Sequence, residues 1–187
     1  METKQWEQRI RDEFKDHMVI AHEILGSDLG RLEYLRWQKP GTGIYGVDYV
    51  LKSATLFVSG DLGEASYIWS PPISLQWIAG CNLGYFHGKC TASEDGRYPH
   101  EWNEKTMQKS VLEYFKYNQD CKGYKAFLEA HVPLHNREEL IAWCHYNDPT
   151  GLLGDDWWEW FIQGGEVVPF RTRAHLIGLK MAFPQGD

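Results

Sequence analysis

The chain has 187 residues, of which 43% are hydrophobic and 24% charged, and it carries a net charge of −7. That length fits one domain, or one domain with a helical annex, and leaves enough chain to bury a sizeable core. An acidic chain with no run of five like charges lacks the clustered Lys and Arg that a phosphate backbone requires, so direct nucleic-acid binding is not expected.

The elements read as follows in chain order. Residues 4–15 place Trp6, Ile10 and Phe14 at i, i+4 and i+8, an amphipathic helix with one apolar stripe. Residues 17–25 and 31–38 read as strands joined across Gly26 to Gly30, with a helix over 18–25 as the alternative because its residues do not alternate cleanly. IYGVDYVL (44–51) and ATLFVSGD (54–61) read as a hairpin. With Lys52-Ser53 as a two-residue loop, Leu51 faces Ala54, Tyr49 faces Leu56 and Val47 faces Val58, which gives one apolar face. The other face then pairs Asp48 with Phe57 and Gly46 with Ser59. EASYIWS (64–70) alternates as a fifth strand, and Pro71-Pro72 ends the sheet region.

Helices dominate afterwards. Ser74 is placed to cap a helix through residue 90, residues 91–100 read as a loop, and Asn103 caps a helix over 104–118. Further helices are expected over 122–131, over 137–146 behind Asn136, and over 155–163. The tail 171–183 is ambiguous between strand and helix, and the reading leans to strand. A run of strands followed by a run of helices is the order of an α+β fold: one domain over 1–187, with an antiparallel sheet of about five strands before residue 70 and a mostly helical annex over 71–187.

Two constellations stand out. Asp48, Ser59 and Asp61 lie on the polar face of the hairpin, and with Arg36 and His17 from neighbouring segments they form a candidate ligand site. The assumed register sets the two aspartates roughly 13 Å apart along the strands, too far to share a metal ion. Trp157, Trp158 and Trp160 fall within four residues and cannot all face one core. With Asp155, Asp156 and Glu159 they form an acidic, aromatic candidate surface for a basic protein partner.

The remaining candidates are weaker. Cys81, His87 and Cys90 match no common zinc spacing, and no nucleophile elbow or P-loop accompanies the cysteines, histidines or glycines. No cofactor, no metal and no catalytic residue is assigned, and the reading leans away from an enzyme. Four cysteines without a CxxC pair, no apolar run of 18 residues and no signal-type start at METKQWEQRI lead us to expect a reduced, cytoplasmic protein without a membrane span.

Asp16-His17, LEYLRW (32–37), Pro40-Gly41-Thr42, Val47-Asp48-Tyr49 and LFVSGDLG (56–63), followed by Tyr67, together resemble a group of uncharacterised small proteins of phage and prophage genomes. Leu62 stands where that group more often has methionine. The resemblance spans about residues 16–69 and transfers no catalytic residue. It implies a phage accessory protein in the bacterial host cytoplasm, of the anti-CRISPR-like kind that inhibits a host defence protein by binding it. The alternative is a small-molecule or nucleotide-binding protein, or a hydrolase, acting on a defence signal. Monomer and homo-oligomer both stay open.

Overall fold

The computed structural model describes residues 2–27, 30–94 and 100–184. The elements open with α1 (Glu2–Glu13) and the strands β1 (Met18–Ser27), β2 (Gly30–Gln38), β3 (Val47–Lys52), β4 (Thr55–Gly60) and β5 (Ala65–Ile68). They continue with α2 (Leu75–Ala79), α3 (Leu83–His87), β6 (Cys90–Ser93), β7 (Glu101–Trp102) and α4 (Glu104–Tyr117). Last come α5 (Cys121–Glu129), α6 (Arg137–Asn147), α7 (Thr150–Leu153), α8 (Trp157–Trp160), β8 (Glu166–Val167) and α9 (Phe170–Ala182). The architecture is α+β: a six-stranded antiparallel sheet ordered β1 to β6, followed by a mostly helical C-terminal region.

The chain clusters into two compact units, residues 1–99 with 168–187, and residues 100–167. The expected change of style at Pro71-Pro72 is therefore not the boundary between them. Helices α2, α3 and α9 share a core with the sheet, because their apolar residues Leu75, Ile78, Phe86, Ala174 and Leu179 bury among its strand residues.

In the first unit, strand alternation sorts side chains to two faces. Leu35, Trp37, Val47, Tyr49, Leu51, Leu56, Val58 and Tyr67 point to the helix side and are buried with Ile10 of α1 and Phe14 just after it. The hairpin faces are those read from the sequence, but its register is shifted by two residues. Tyr49 faces Val58, Leu51 faces Leu56 and Asp48 faces Ser59. The cause is the turn: Ser53, not Lys52, takes its first central position, with the positive φ of 58° that a two-residue hairpin loop demands there. A sixth strand, β6, lies in what reads as a loop; it is short, at the edge of the sheet and irregular in its pairing with β5.

The tail forms helix α9, not the strand that residues 171–183 suggest. Thr172 and every residue from Ala174 to Leu179 are buried, so the middle of the helix is enclosed on all sides and shows no one-sided apolar stripe, with Arg171, Arg173 and Lys180 towards its ends. It approaches the sheet closely. Tyr49 Oη donates to the His175 carbonyl at 2.9 Å, and a Cβ on Gly178 would lie 2.5 Å from that hydroxyl. The His175 ring is equally committed: Nε2 donates to the Leu62 carbonyl at 3.1 Å, and Nδ1 accepts from Tyr67 Oη at 3.0 Å. Upstream, the expected single helix after Ser74 is broken into two. Gly80 closes α2, and Asn82 starts α3 by accepting from the Tyr85 amide at 2.8 Å.

The second unit has its own core. Met107, Val111 and Phe115 form the i, i+4, i+8 stripe of α4, and Phe127, Leu140, Cys144, Leu153 and Phe161 complete it. Asn103, Asp120 and Asn136 cap α4, α5 and α6 through bonds to the amides of Thr106, Gly123, and Glu138 with Glu139. Glu139 does not close a capping box. Its carboxylate instead meets His135 at 3.1 Å.

Candidate functional site

The outer face of the sheet is where the chemistry gathers. Leu32, Tyr34, Arg36 and Gln38 alternate onto it from β2, Asp48 and Val50 from β3, Phe57 and Ser59 from β4, and Ser66 and Ile68 from β5. None of these is buried. The corrected register sets Arg36 opposite Asp48, and Asp48 opposite Ser59. The Arg36 guanidinium pairs with the Asp48 carboxylate, and Tyr34 Oη donates to the other Asp48 oxygen at 2.7 Å. Arg36 Nε donates to Gln38 Oε1 at 2.7 Å, and the Gln38 amide donates to the Thr42 carbonyl. Burial, reinforced by the bond to Asp48, pushes the Tyr34 phenol up. The result is a cross-strand polar row whose members satisfy one another, a fixed surface patch and not a set of free acid–base groups.

Two of the expected site residues stand apart from it. Asp61 is in the turn after β4, exposed, with its amide donating to the Gly46 carbonyl at 3.0 Å. That pairing shortens the expected offset from Asp48 to two residues, roughly 7 Å along the strands instead of 13. His17 lies on the helix side of the sheet, packed against Phe14 and stacked on Trp37, with Nε2 donating to the Ile44 carbonyl at 3.2 Å. Burial lowers its pKa, which suits a neutral core histidine. Arg36, Asp48 and Ser59 converge; His17 does not join them. Among the described residues no three His, Cys, Asp or Glu side chains group as a metal site.

Beside this row runs an open groove of about 510 Å³ between β4, β5 and β6, lined by Phe57, Ser59, Ser66, Glu64 and Glu94 among others. None of its lining residues is Lys or Arg, and Arg171 reaches Glu94 from α9 at 2.5 Å. At one end of the sheet, β1 pairs only with β2. It is ten residues long and leaves Met18, Val19, Ile20, Ile24 and Leu25 exposed, the last two by 53% and 58%. Phe57 of β4, three strands away on the outer face, is 49% exposed.

Comparison with family models, with curated proteins and with solved structures found no match to this chain.

In the second unit the tryptophan cluster divides. Trp160 stacks on Tyr114 with centroids 4.4 Å apart and planes 16° apart, and Trp157 packs half-buried on the core. Trp158 is 54% exposed and meets Trp157 edge-on at 6.3 Å. Asp155, Asp156 and Glu159 are exposed around it. The thiols of Cys81, Cys90 and Cys144 are pushed up by burial, Cys144 to about 11, the opposite of what a nucleophile needs.

Glu33 escapes sequence reading. It sits on the core face of β2, 2% exposed, and accepts from His22 Nε2 at 3.0 Å, Arg31 at 3.2 Å and the Leu75 amide at 3.1 Å. A charged residue at an apolar phase of β2 is the signal that could have found it. Tyr34 could have been found from its i, i+2 relation to Arg36 on that strand.

Proposed function

We propose that this chain works by binding a protein partner through its uncovered sheet, using the β1 edge and the adjoining outer face. The observation that carries the reading is β1: a ten-residue terminal strand with five exposed large apolar side chains. Natural edge strands are usually short, charged or covered, so a long apolar one marks an interaction surface. Strand addition would supply main-chain hydrogen bonds, and the Tyr34–Asp48–Arg36 row would supply register and specificity. The resemblance of residues 16–69 to phage and prophage proteins is what suggests a bacterial defence protein as that partner and the host cytoplasm as the setting. Trp158 with its three carboxylates offers a second, smaller contact on the other unit.

The alternative of a nucleotide or signal-molecule ligand would use the groove beside β4 to β6. Its carboxylates, Glu64 and Glu94, repel a phosphate-bearing molecule, which is why the protein-partner reading is preferred. The test is a pull-down from a lysate of a defence-bearing host with wild-type protein, with Ile24→Lys, and with Trp158→Ala. Capture of a defence component by the wild type and its loss in Ile24→Lys is the expected pattern. Equal capture by wild type and Ile24→Lys would place the contact elsewhere.

A further inference from the structure

Helices α1, α3 and α9 meet around a small cavity of about 40 Å³. Its wall is chemically uneven. α9 contributes Arg173, Leu176, Ile177 and Lys180, whose i, i+3, i+4, i+7 spacing makes one stripe. α1 contributes Glu7 and Arg11, one turn apart, and α3 contributes Leu83. Among the described residues, three cations and one carboxylate line it, a formal charge of +2 for that lining in a chain whose net charge is −7. Arg173 is held in place by its Nε, which donates to the Val168 carbonyl at 2.9 Å. Among the described residues neither Arg11 nor Lys180 has a carboxylate partner. Leu176 and Ile177 are buried and Arg173 and Lys180 half-buried, so these two cations border a medium less polar than water, where their attraction for an anion is stronger, while Arg11 is exposed.

Size narrows the ligand. A water needs roughly 10–15 Å³ on this measure, so the cavity holds about three waters. That admits one compact oxyanion and excludes a sugar or base. Charge narrows it further: a phosphate group carries about −1.5 to −2 near neutral pH, which matches the local +2 better than a carboxylate does. We propose that the cavity between α1, α3 and α9 binds a phosphate group, either as free inorganic phosphate or as the phosphoryl end of a larger molecule whose remainder stays outside. This site is on the helix side of the sheet and stands independently of the partner-binding reading.

The test is calorimetric titration of the full-length chain with inorganic phosphate at constant ionic strength held with chloride. Saturable binding is expected in the wild type. Lys180→Met and Arg11→Met should each weaken it roughly tenfold, equivalent to about 1.4 kcal/mol. Lys125→Met, which removes an exposed lysine of the other unit, should leave it unchanged. Phenyl phosphate separates the two sources: competition with phosphate assigns the site to a phosphoryl end, and failure to compete assigns it to the free ion. No saturation by about 10 mM phosphate, ten times a millimolar Kd, overturns the proposal. Equal affinity in wild type, Lys180→Met and Arg11→Met overturns it as well.

Discussion

Replacing Gly178 by alanine tests the packing that holds the sheet to its central helix. In an exposed helix interior this change stabilises by about 1 kcal/mol, since alanine is the better helix former. Here the added Cβ would lie 2.5 Å from Tyr49 Oη, 3.4 Å from Trp37 Cδ1 and 3.5 Å from Phe14 Cε2. Tyr49 and Phe14 are almost wholly buried, and the hydroxyl is fixed by its bond to the His175 carbonyl. The ring must withdraw and break that bond. A stranded buried hydroxyl costs about 1–3 kcal/mol and overpacking a further 1–3. After the helix-propensity gain, the net loss is about 1–5 kcal/mol, a fall in Tm on the order of 10 °C for a unit of this size. The assay is urea denaturation of wild type, Gly178→Ala, Tyr49→Phe and the double variant. Tyr49→Phe removes the atom that the new Cβ meets first, so the double variant should lose less than the two single losses added together, by about 1 kcal/mol or more. A neutral or stabilised Gly178→Ala, or strictly additive losses, would refute the reasoning.

Other expectations follow from the same geometry. His175 is buried neutral, with its pKa lowered to about 4 chiefly by burial. The unfolded chain, with an ordinary value near 6.5, binds that proton first on acidification, so stability is full above about pH 6.5 and falls by about 3 kcal/mol as the pH drops towards 4. Thermal melts across that range should show the fall, and His175→Gln should flatten it. Gly60 has a φ of +126°, and a Cβ there would lie 2.1 Å from the Gly46 carbonyl oxygen. Gly60→Ala should therefore destabilise by roughly 3 kcal/mol or more, read by denaturation. Glu33→Ala strands the buried Leu75 amide and removes the acceptor for His22 and Arg31. We expect a loss of about 2–4 kcal/mol by the same measurement.

The parts of this fold that are legible in the sequence are those where periodicity meets solvent on one side. The β3–β4 hairpin shows its faces because Val47, Tyr49 and Leu51 alternate with Asp48, Val50 and Lys52. The caps at Ser74, Asn103 and Asn136 are legible because a side-chain acceptor precedes each helix. Register is less legible. Ser53 adopts a glycine-like φ without being glycine, and that slips the pairing by two residues while preserving both faces. The slip decides the site: it sets Asp48 beside Ser59 and brings Asp61 closer to Asp48. Helix α9 is illegible for the opposite reason: its middle is buried on every side, so no solvent-facing side sets a periodicity. His17 shows the limit of grouping residues by type. It comes from the segment that neighbours the Arg36 strand, but Trp37, its stacking partner, points to the other face of β2. The cavity between α1, α3 and α9 unites residues nearly the whole chain apart, and no local pattern announces it.

The most direct measurement of the central claim is phage plating on a host that carries an active defence system and expresses this protein. The account predicts that the wild type restores plaques and that Ile24→Lys, on the exposed β1 edge, does not, while its melting temperature stays at the wild-type value. Full plaque restoration by a correctly folded Ile24→Lys, or none by the wild type, would contradict it.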